Sequence, residues 1–162
     1  MKTRFVITIF LMLHLGLVCG QNDKYLTFEL GGSGGLGSFN YESVFGQKEK
    51  IRYSYRTGFS FMPIDKNNGV ALIFPQMLHG ILGKKSHQMD FGIGLAPSFT
   101  TNFGGAYVRM PLSFSYRFEP EGKNHYWRIG YTPLISFLFD FQWEHWAGVT
   151  YAYKLKFKRN KK

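Results

Sequence analysis

Four histidines beyond the first twenty residues are the natural candidates for proton-transfer chemistry: His79, His87, His125 and His145. Imidazole is the side chain that exchanges its proton near neutral pH. A histidine activating a serine on the same strand would stand two positions before it, because residues i and i+2 share a face. The residues at that spacing are Ile81, Met89, Trp127 and Ala147, so the pattern is missing. Glu144 directly precedes His145, and strand neighbours point to opposite faces. His145 could meet Asp140 only across a turn. His87 and His125 lie beside basic turns. Each histidine reads as a polar residue at an interface. No His/Cys/Asp/Glu spacing suits a metal ion. The run Gly31-Gly32-Ser33-Gly34-Gly35 lacks the Lys-Ser/Thr and the following helix of a phosphate loop. It reads as a tight turn. We expect no catalytic residue, no metal and no cofactor.

The charged residues say more. Glu29, Glu42, Arg52, Arg56, Asp90, Arg109, Arg117 and Arg128 are spaced singly among glycine, serine, threonine and alanine. Such a set forms a cross-paired ionic network if the elements carrying it face one another. Charges removed from water persist only when paired and hydrogen-bonded.

The elements are strands, because apolar and polar residues alternate. From Ile51 to Phe61, Ile51, Tyr53, Tyr55, Thr57, Phe59 and Phe61 oppose Arg52, Ser54, Arg56, Gly58 and Ser60. From His87 to Thr100, Met89, Phe91, Ile93, Leu95 and Phe99 oppose Gln88, Asp90, Gly92, Gly94, Ala96 and Ser98. From Ala106 to Phe118, Val108, Met110, Leu112, Phe114 and Tyr116 oppose Arg109, Pro111, Ser113, Ser115 and Arg117. Near the end, Val149, Tyr151, Tyr153, Leu155 and Phe157 alternate with Thr150, Ala152, Lys154 and Lys156. Less regular segments cover Tyr25 to Gly32, Leu36 to Phe45, Gly69 to Leu82 and His125 to Leu138. Short turns rich in Gly, Asn, Asp and Lys separate them, as an up-and-down meander requires. About eight long antiparallel strands of one all-β domain result.

Which face lies inside decides the class. A soluble sheet covers its wet face with long polar side chains. Here the polar face is mostly small residues with isolated charges, which suits the narrow interior of an eight-stranded barrel. About ten residues at roughly 3.3 Å each, tilted near 40°, span the ~25 Å apolar band of an outer membrane. The expectation is a transmembrane β-barrel. Tyr53, Tyr55, Phe59, Phe91, Ile93, Leu95, Leu112, Phe114, Val149, Tyr151 and Tyr153 would face lipid, and the eight charged residues would fill the lumen. Tyr25, Tyr53, Tyr126, Trp127, Trp143, Tyr151 and Tyr153 stand near strand ends, where aromatic girdles belong.

The chain resembles small outer-membrane barrels of Bacteroidetes-type Gram-negative bacteria. The resemblance is one of pattern. It rests on Gly31-Gly32-Ser33-Gly34-Gly35-Leu36-Gly37-Ser38-Phe39-Asn40-Tyr41-Glu42, on Arg128-Ile129-Gly130-Tyr131-Thr132-Pro133-Leu134-Ile135, and on Trp146-Ala147-Gly148-Val149-Thr150-Tyr151-Ala152-Tyr153. It implies a fold and an outer-membrane location, and no settled activity. Tyr151, Tyr153, Leu155 and Phe157 look like the terminal signal read by the outer-membrane insertion machinery, extended here by Lys158-Arg159-Asn160-Lys161-Lys162.

The amino terminus reads as a leader. Lys2 and Arg4 precede the apolar stretch Phe5 to Val18, and Val18-Cys19-Gly20 supplies a cleavage site before Gln21. The domain reading is a signal peptide over 1–20, a barrel over 21–157 and a basic tail over 158–162. Cys19 is the single cysteine, so no disulfide forms within the chain, and cleavage removes it unless it is lipidated.

The formal net charge of +10 invites a nucleic-acid reading. Lys48, Lys50, Lys84, Lys85 and Lys123 instead fall in turns on one side of the meander, while Asp65 and Lys66 nearly cancel on the other, and no basic-aromatic platform for single strands is present, so nucleic acid is not expected. Outer-membrane lipids are the expected surroundings, and a monomer the expected state. The leading role is structural or interactive, in the cell envelope. The alternatives are a narrow pore for small solutes, a lipid A-modifying barrel enzyme using histidine with serine and an acid at its outer rim, and a soluble lipid-binding barrel.

Overall fold

The computed structural model describes residues 23–65, 69–83, 85–102, 105–136 and 141–156. The expected leader with Cys19, the loop residues Lys66 and Asp140, the last aromatic Phe157 and the basic tail lie outside them. Eleven strands are present among the described residues: β1 (Lys24–Gly31), β2 (Gly37–Lys48), β3 (Ile51–Asp65), β4 (Gly69–Ile73), β5 (Gln76–Leu82), β6 (His87–Thr100), β7 (Ala106–Phe118), β8 (His125–Tyr131), β9 (Leu134–Ser136), β10 (Gln142–Glu144) and β11 (Ala147–Lys154). Every pairing is antiparallel.

The eleven strands make eight staves. Strands β4 and β5 both pair with β3 on one side and β6 on the other, so they are one stave interrupted at Phe74-Pro75. Strands β8 and β9 both lie against β7 and are interrupted at Thr132-Pro133. Strands β10 and β11 pair with that same stave and are interrupted at His145-Trp146. The ring closes where β11 meets β1, with Phe28 opposite Tyr151 and Glu29 opposite Thr150. Sequential neighbours pair throughout. The molecule is an all-β, up-and-down antiparallel barrel of eight staves, and closure leaves no edge.

Proline causes two of the interruptions. It lacks the N–H that a central ladder needs. The carbonyls carry the ladder across instead: Gly58 N donates to Pro75 O at 3.0 Å, and Leu112 N donates to Pro133 O at 3.0 Å. A bulge at Phe45 is a further irregularity, since Val44 opposes Ser54 while Gly46 opposes Tyr53. The extra residue leaves Glu42, Ser43 and Val44 consecutively buried. Alternation breaks there, which is why the pattern suggested a strand ending at Phe45 when β2 runs on to Lys48.

Gly31 to Gly35 is a turn of an unexpected kind. Gly31, Gly32 and Gly35 have φ of 70°, 80° and 82°, open to glycine at no steric cost. The chain turns inward as a 3₁₀ segment, Gly32–Gly34, which is fully buried and touches β1, β2, β3, β7 and β11. Strand β7 is the sixth stave, so the segment crosses the lumen and plugs it.

The lumen is tight elsewhere too. A Cβ on inward-facing Gly94 would sit 2.1 Å from Gln76 O and 2.7 Å from Met77 Cγ. Nothing lies within 4 Å of a Cβ on outward-facing Gly80. Gly94→Ala is therefore expected to cost about 1–3 kcal/mol through overpacking, and Gly80→Ala less than about 0.5 kcal/mol. Urea unfolding of the refolded chain in detergent micelles measures both. Equal costs would show that the Gly94 face is not confined.

Candidate functional site

Glu29, Glu42 and Asp90 project inward from β1, β2 and β6, and all are buried. Arg56, Arg117 and Arg128 project inward from β3, β7 and β8, and all are buried as well. Each takes the polar phase of its strand, so six staves bring three carboxylates and three guanidiniums into one lumen.

Their contacts form a continuous chain. Glu29 Oε1 accepts from Arg56 Nη1 at 3.1 Å, from Arg128 Nη2 at 3.3 Å and from Thr150 Oγ1 at 3.3 Å. Its Oε2 accepts from Ser33 in the plug at 2.8 Å and from Ser38 at 3.3 Å. Arg56 Nη2 donates to Ser33 Oγ at 2.9 Å, which ties the plug to the wall. Arg128 reaches on to Asp90 Oδ2 at 3.4 Å. Asp90 Oδ1 lies 2.6 Å from His79 Nδ1, and Arg117 stands 3.9 Å from Oδ2. Arg117 Nη1 donates to Glu42 Oε1 at 2.8 Å. Tyr126 donates its hydroxyl to the other oxygen of Glu42.

The guanidinium of Arg117 lies 3.4 Å from the centroid of the Tyr126 ring and 5.3 Å from that of Tyr25. Cation–π attraction adds to its ion pair. Beyond it the network reaches the rim that carries the start of β1. Arg117 Nε stands 3.4 Å from Glu119, and Tyr25 donates to Glu119 Oε1 at 2.7 Å. Arg52 donates to Glu119 Oε2 at 2.7 Å and to Gln88 Oε1 at 2.6 Å. At the opposite rim Arg109 pairs with Glu144 at 3.2 Å and stacks over Tyr107.

All eight residues expected in the lumen thus form ion pairs, two with partners outside that set: Glu119 for Arg52, Glu144 for Arg109. Of those expected to face lipid, Tyr53, Phe59, Phe91, Ile93, Leu95, Phe114, Val149, Tyr151 and Tyr153 are exposed on the outer wall. Tyr55 and Leu112 are half-buried there. Of the expected insertion signal, Tyr151 and Tyr153 lie in β11. Leu155 follows the strand, its N–H bonding Lys24 O at 2.7 Å, and Phe157 lies outside the described residues.

Three expectations fail. Tyr25 and Tyr126 are not girdle residues, for both are buried inside, their rings edge to face at 5.1 Å. They share the inward phase of Glu29 and Arg128. His79 is not interfacial, because it lies buried against Asp90 in the lumen. The lumen is also less uniformly polar than expected. Ala71, Ile73 and Ala96 form one apolar cluster within the barrel, and Tyr25, Val44, Tyr126 and Ala152 another.

A second feature lies at the near rim, where the described chain begins. A cavity of about 380 Å³ is lined by Arg52, Lys85, Gln88, Lys154 and the turn from Glu119 to Asn124. Among the described residues no group of His, Cys, Asp and Glu could hold a metal ion.

Fold and interior together define a closed meander barrel with a charged, occupied lumen and an apolar outer wall. Among solved structures, the chain is similar to the N-terminal β-barrel domain of Pseudomonas aeruginosa OprF, at 10% identity and a TM-score of 0.59, covering 84% of this chain and 99% of that one. At that identity the likeness is one of fold. No family model and no curated protein matches the sequence.

Two predictions concern the network. Arg117→Met strands Glu42 without its cation, and breaking a buried pair in this way costs about 3–5 kcal/mol. The double variant Arg117→Met/Glu42→Gln is expected to recover part of that loss, and urea unfolding of the series reads the coupling. The second concerns pH. Burial alone would raise the Glu119 carboxyl pKa, but the Arg117 charge and the Arg52 hydrogen bond outweigh it and hold the carboxyl below the usual range. A lowered folded-state pKa stabilises above the unfolded value and is lost as pH falls through the folded one. Glu119→Gln should therefore be less stable than the parent above about pH 4.5, with the gap closing in stronger acid. A gap that persists unchanged into acid would show that the carboxylate charge is not what Arg52 and Arg117 hold.

Proposed function

We propose that the protein is an integral outer-membrane barrel with a filled polar lumen and a structural or interaction role in the cell envelope. One observation carries the reading: the barrel is inside out relative to a soluble protein. Arg117, Glu42 and Asp90 are wholly shielded, while Leu26, Phe28, Phe59, Ile93, Leu95, Phe114, Ile129 and Val149 stand exposed around the wall. Monomeric soluble proteins rarely expose contiguous apolar patches larger than a few hundred Å². Hydrocarbon solvates such a wall, and the closed ladder satisfies the backbone as a bilayer demands. The OprF domain's fold supports the same reading.

The inward plug and the ion-paired side chains favour a filled lumen over a conducting one. The connections between staves are short at both rims, which leaves little room for the long loops that usually capture ligands. Among the described histidines, His145 bonds Tyr131 at the wall, while His79 bonds Asp90 and stands across from Ser54, all three buried in the filled lumen away from either rim. The role therefore rests on the outer wall and the rims.

Outer-membrane fractionation is expected to recover the protein with the envelope, migrating faster unboiled than boiled on a denaturing gel. Planar bilayers are expected to stay closed at every voltage. A freely water-soluble monomer would overturn the location, and steady single-channel steps would overturn the filled lumen.

A further inference from the structure

We propose that the near-rim cavity binds an oxyanion carried by a water-soluble molecule, with Lys85 and Lys123 as the charged contacts. The proposal rests on the envelope reading only for the compartment that this mouth faces.

The cavity, at about 380 Å³, falls in the size range of small-molecule sites. Its charge is unbalanced. Four cations line it against two carboxylates, Glu119 and Glu121. Arg52 is held by Glu119, and Lys154 by Asp23 just outside the lining, each at 2.7 Å. Lys85 and Lys123 are exposed and face only Glu121 in surplus.

The site is also fixed in place by the interior. Lys85 has a φ of 71°, a left-handed conformation uncommon outside glycine. The side chain of Gln88 donates to its carbonyl at 2.7 Å, and Gln88 in turn accepts from Arg52. The buried network thus ends in a hydrogen bond that sets the backbone presenting the lysine. Strain held by surrounding structure is a mark of functional positions.

The wider field has the same sign. Lys24, Lys48, Lys50, Lys85, Lys123, Lys154 and Lys156 are all the lysines among the described residues, and every one lies at this rim. A cationic mouth draws anions toward it.

The phase of the strands identifies the source. Arg52 and Gln88 alternate with outward Tyr53 and Met89, so the cavity floor belongs to the lumen side of the wall. A bilayer headgroup approaches the outer side. The occupant therefore comes from the aqueous compartment.

Pyrophosphate is the probe, titrated calorimetrically into the full chain refolded in zwitterionic detergent. Saturable binding of one anion per chain is expected, weakened about tenfold or more, a change of ~1.4 kcal/mol, in Lys85→Gln/Lys123→Gln. The control Lys48→Gln/Lys50→Gln removes the same charge from the same rim outside the cavity, and should change affinity far less. No saturable binding at millimolar pyrophosphate, or equal weakening in both doubles, would overturn the site. The titration is repeated in nanodiscs of zwitterionic and of anionic lipid. Equal binding in the two is expected, and loss in the anionic discs would assign the site to a headgroup. Heat-modifiable migration of the same samples reports the barrel separately, so failure of the site and failure of the envelope reading remain distinct.

Discussion

The structure depends on charge compensation inside a narrow tube. Glu29, Glu42 and Asp90 face Arg56, Arg117 and Arg128 in a lumen from which water is largely shut out. Desolvating one such ion costs several kcal/mol even after relaxation. The lumen is tolerable because each carboxylate has more than one donor. Glu29 alone collects contacts from Arg56, Arg128, Ser33, Ser38 and Thr150. Those donors come from five separate elements, so the pairing itself fixes how the staves are arranged around the axis. An apolar filling of similar volume would have no such directional demand.

Both ends of the network are closed by groups that belong to it. At the far end the Gly32–Gly34 segment offers Ser33 to Glu29 and Arg56, and Ser60 holds the Gly34 carbonyl at 2.7 Å. A Cβ on Gly34 would lie 2.7 Å from that of Ser38, so only glycine lets the backbone seat there. At the near end Tyr25 and Tyr126 pack together against Arg117 and donate their hydroxyls to Glu119 and Glu42. Opening a path would mean uncovering several of these pairs together. The same contacts that compensate the lumen's charges also fill it.

The eight-stave meander was legible because alternation is a strong signal over strands as long as β3, β6 and β7. The lumen charges followed from it, since they share a phase with serine and glycine. The failures have local causes. Tyr25 is two residues from Thr27 and four from Glu29, so its phase pointed inward, but aromatic chemistry at a strand end suggested an interface. Tyr126 repeats the case two residues before Arg128. His79 lies between inward Met77 and Ile81, whose apolar character hid the phase of β5. The bulge at Phe45 and the breaks at Pro75 and Pro133 are single-residue events that periodicity averages away. The plug could not be read at all, because a glycine run specifies freedom to turn and not the direction of the turn.

Arginine and lysine have separate tasks here, and that separation bears on function. All five described arginines sit in ion pairs, four within the lumen and its near mouth and Arg109 toward the far rim. Guanidinium suits this work, being planar, weakly hydrated and able to hold several acceptors at once. The seven described lysines sit at one rim, where Lys154 pairs with Asp23. The lumen does not require that asymmetry, since its charges already balance among themselves. A one-sided ring of hydrated cations instead gives the two mouths different electrostatic characters, with the basic one connected through Gln88 and Arg52 to the interior. In a barrel whose interior is occupied and whose wall is apolar, the rims are what remains to meet the aqueous compartment, and the described lysines give the near one the character that the proposed oxyanion site needs.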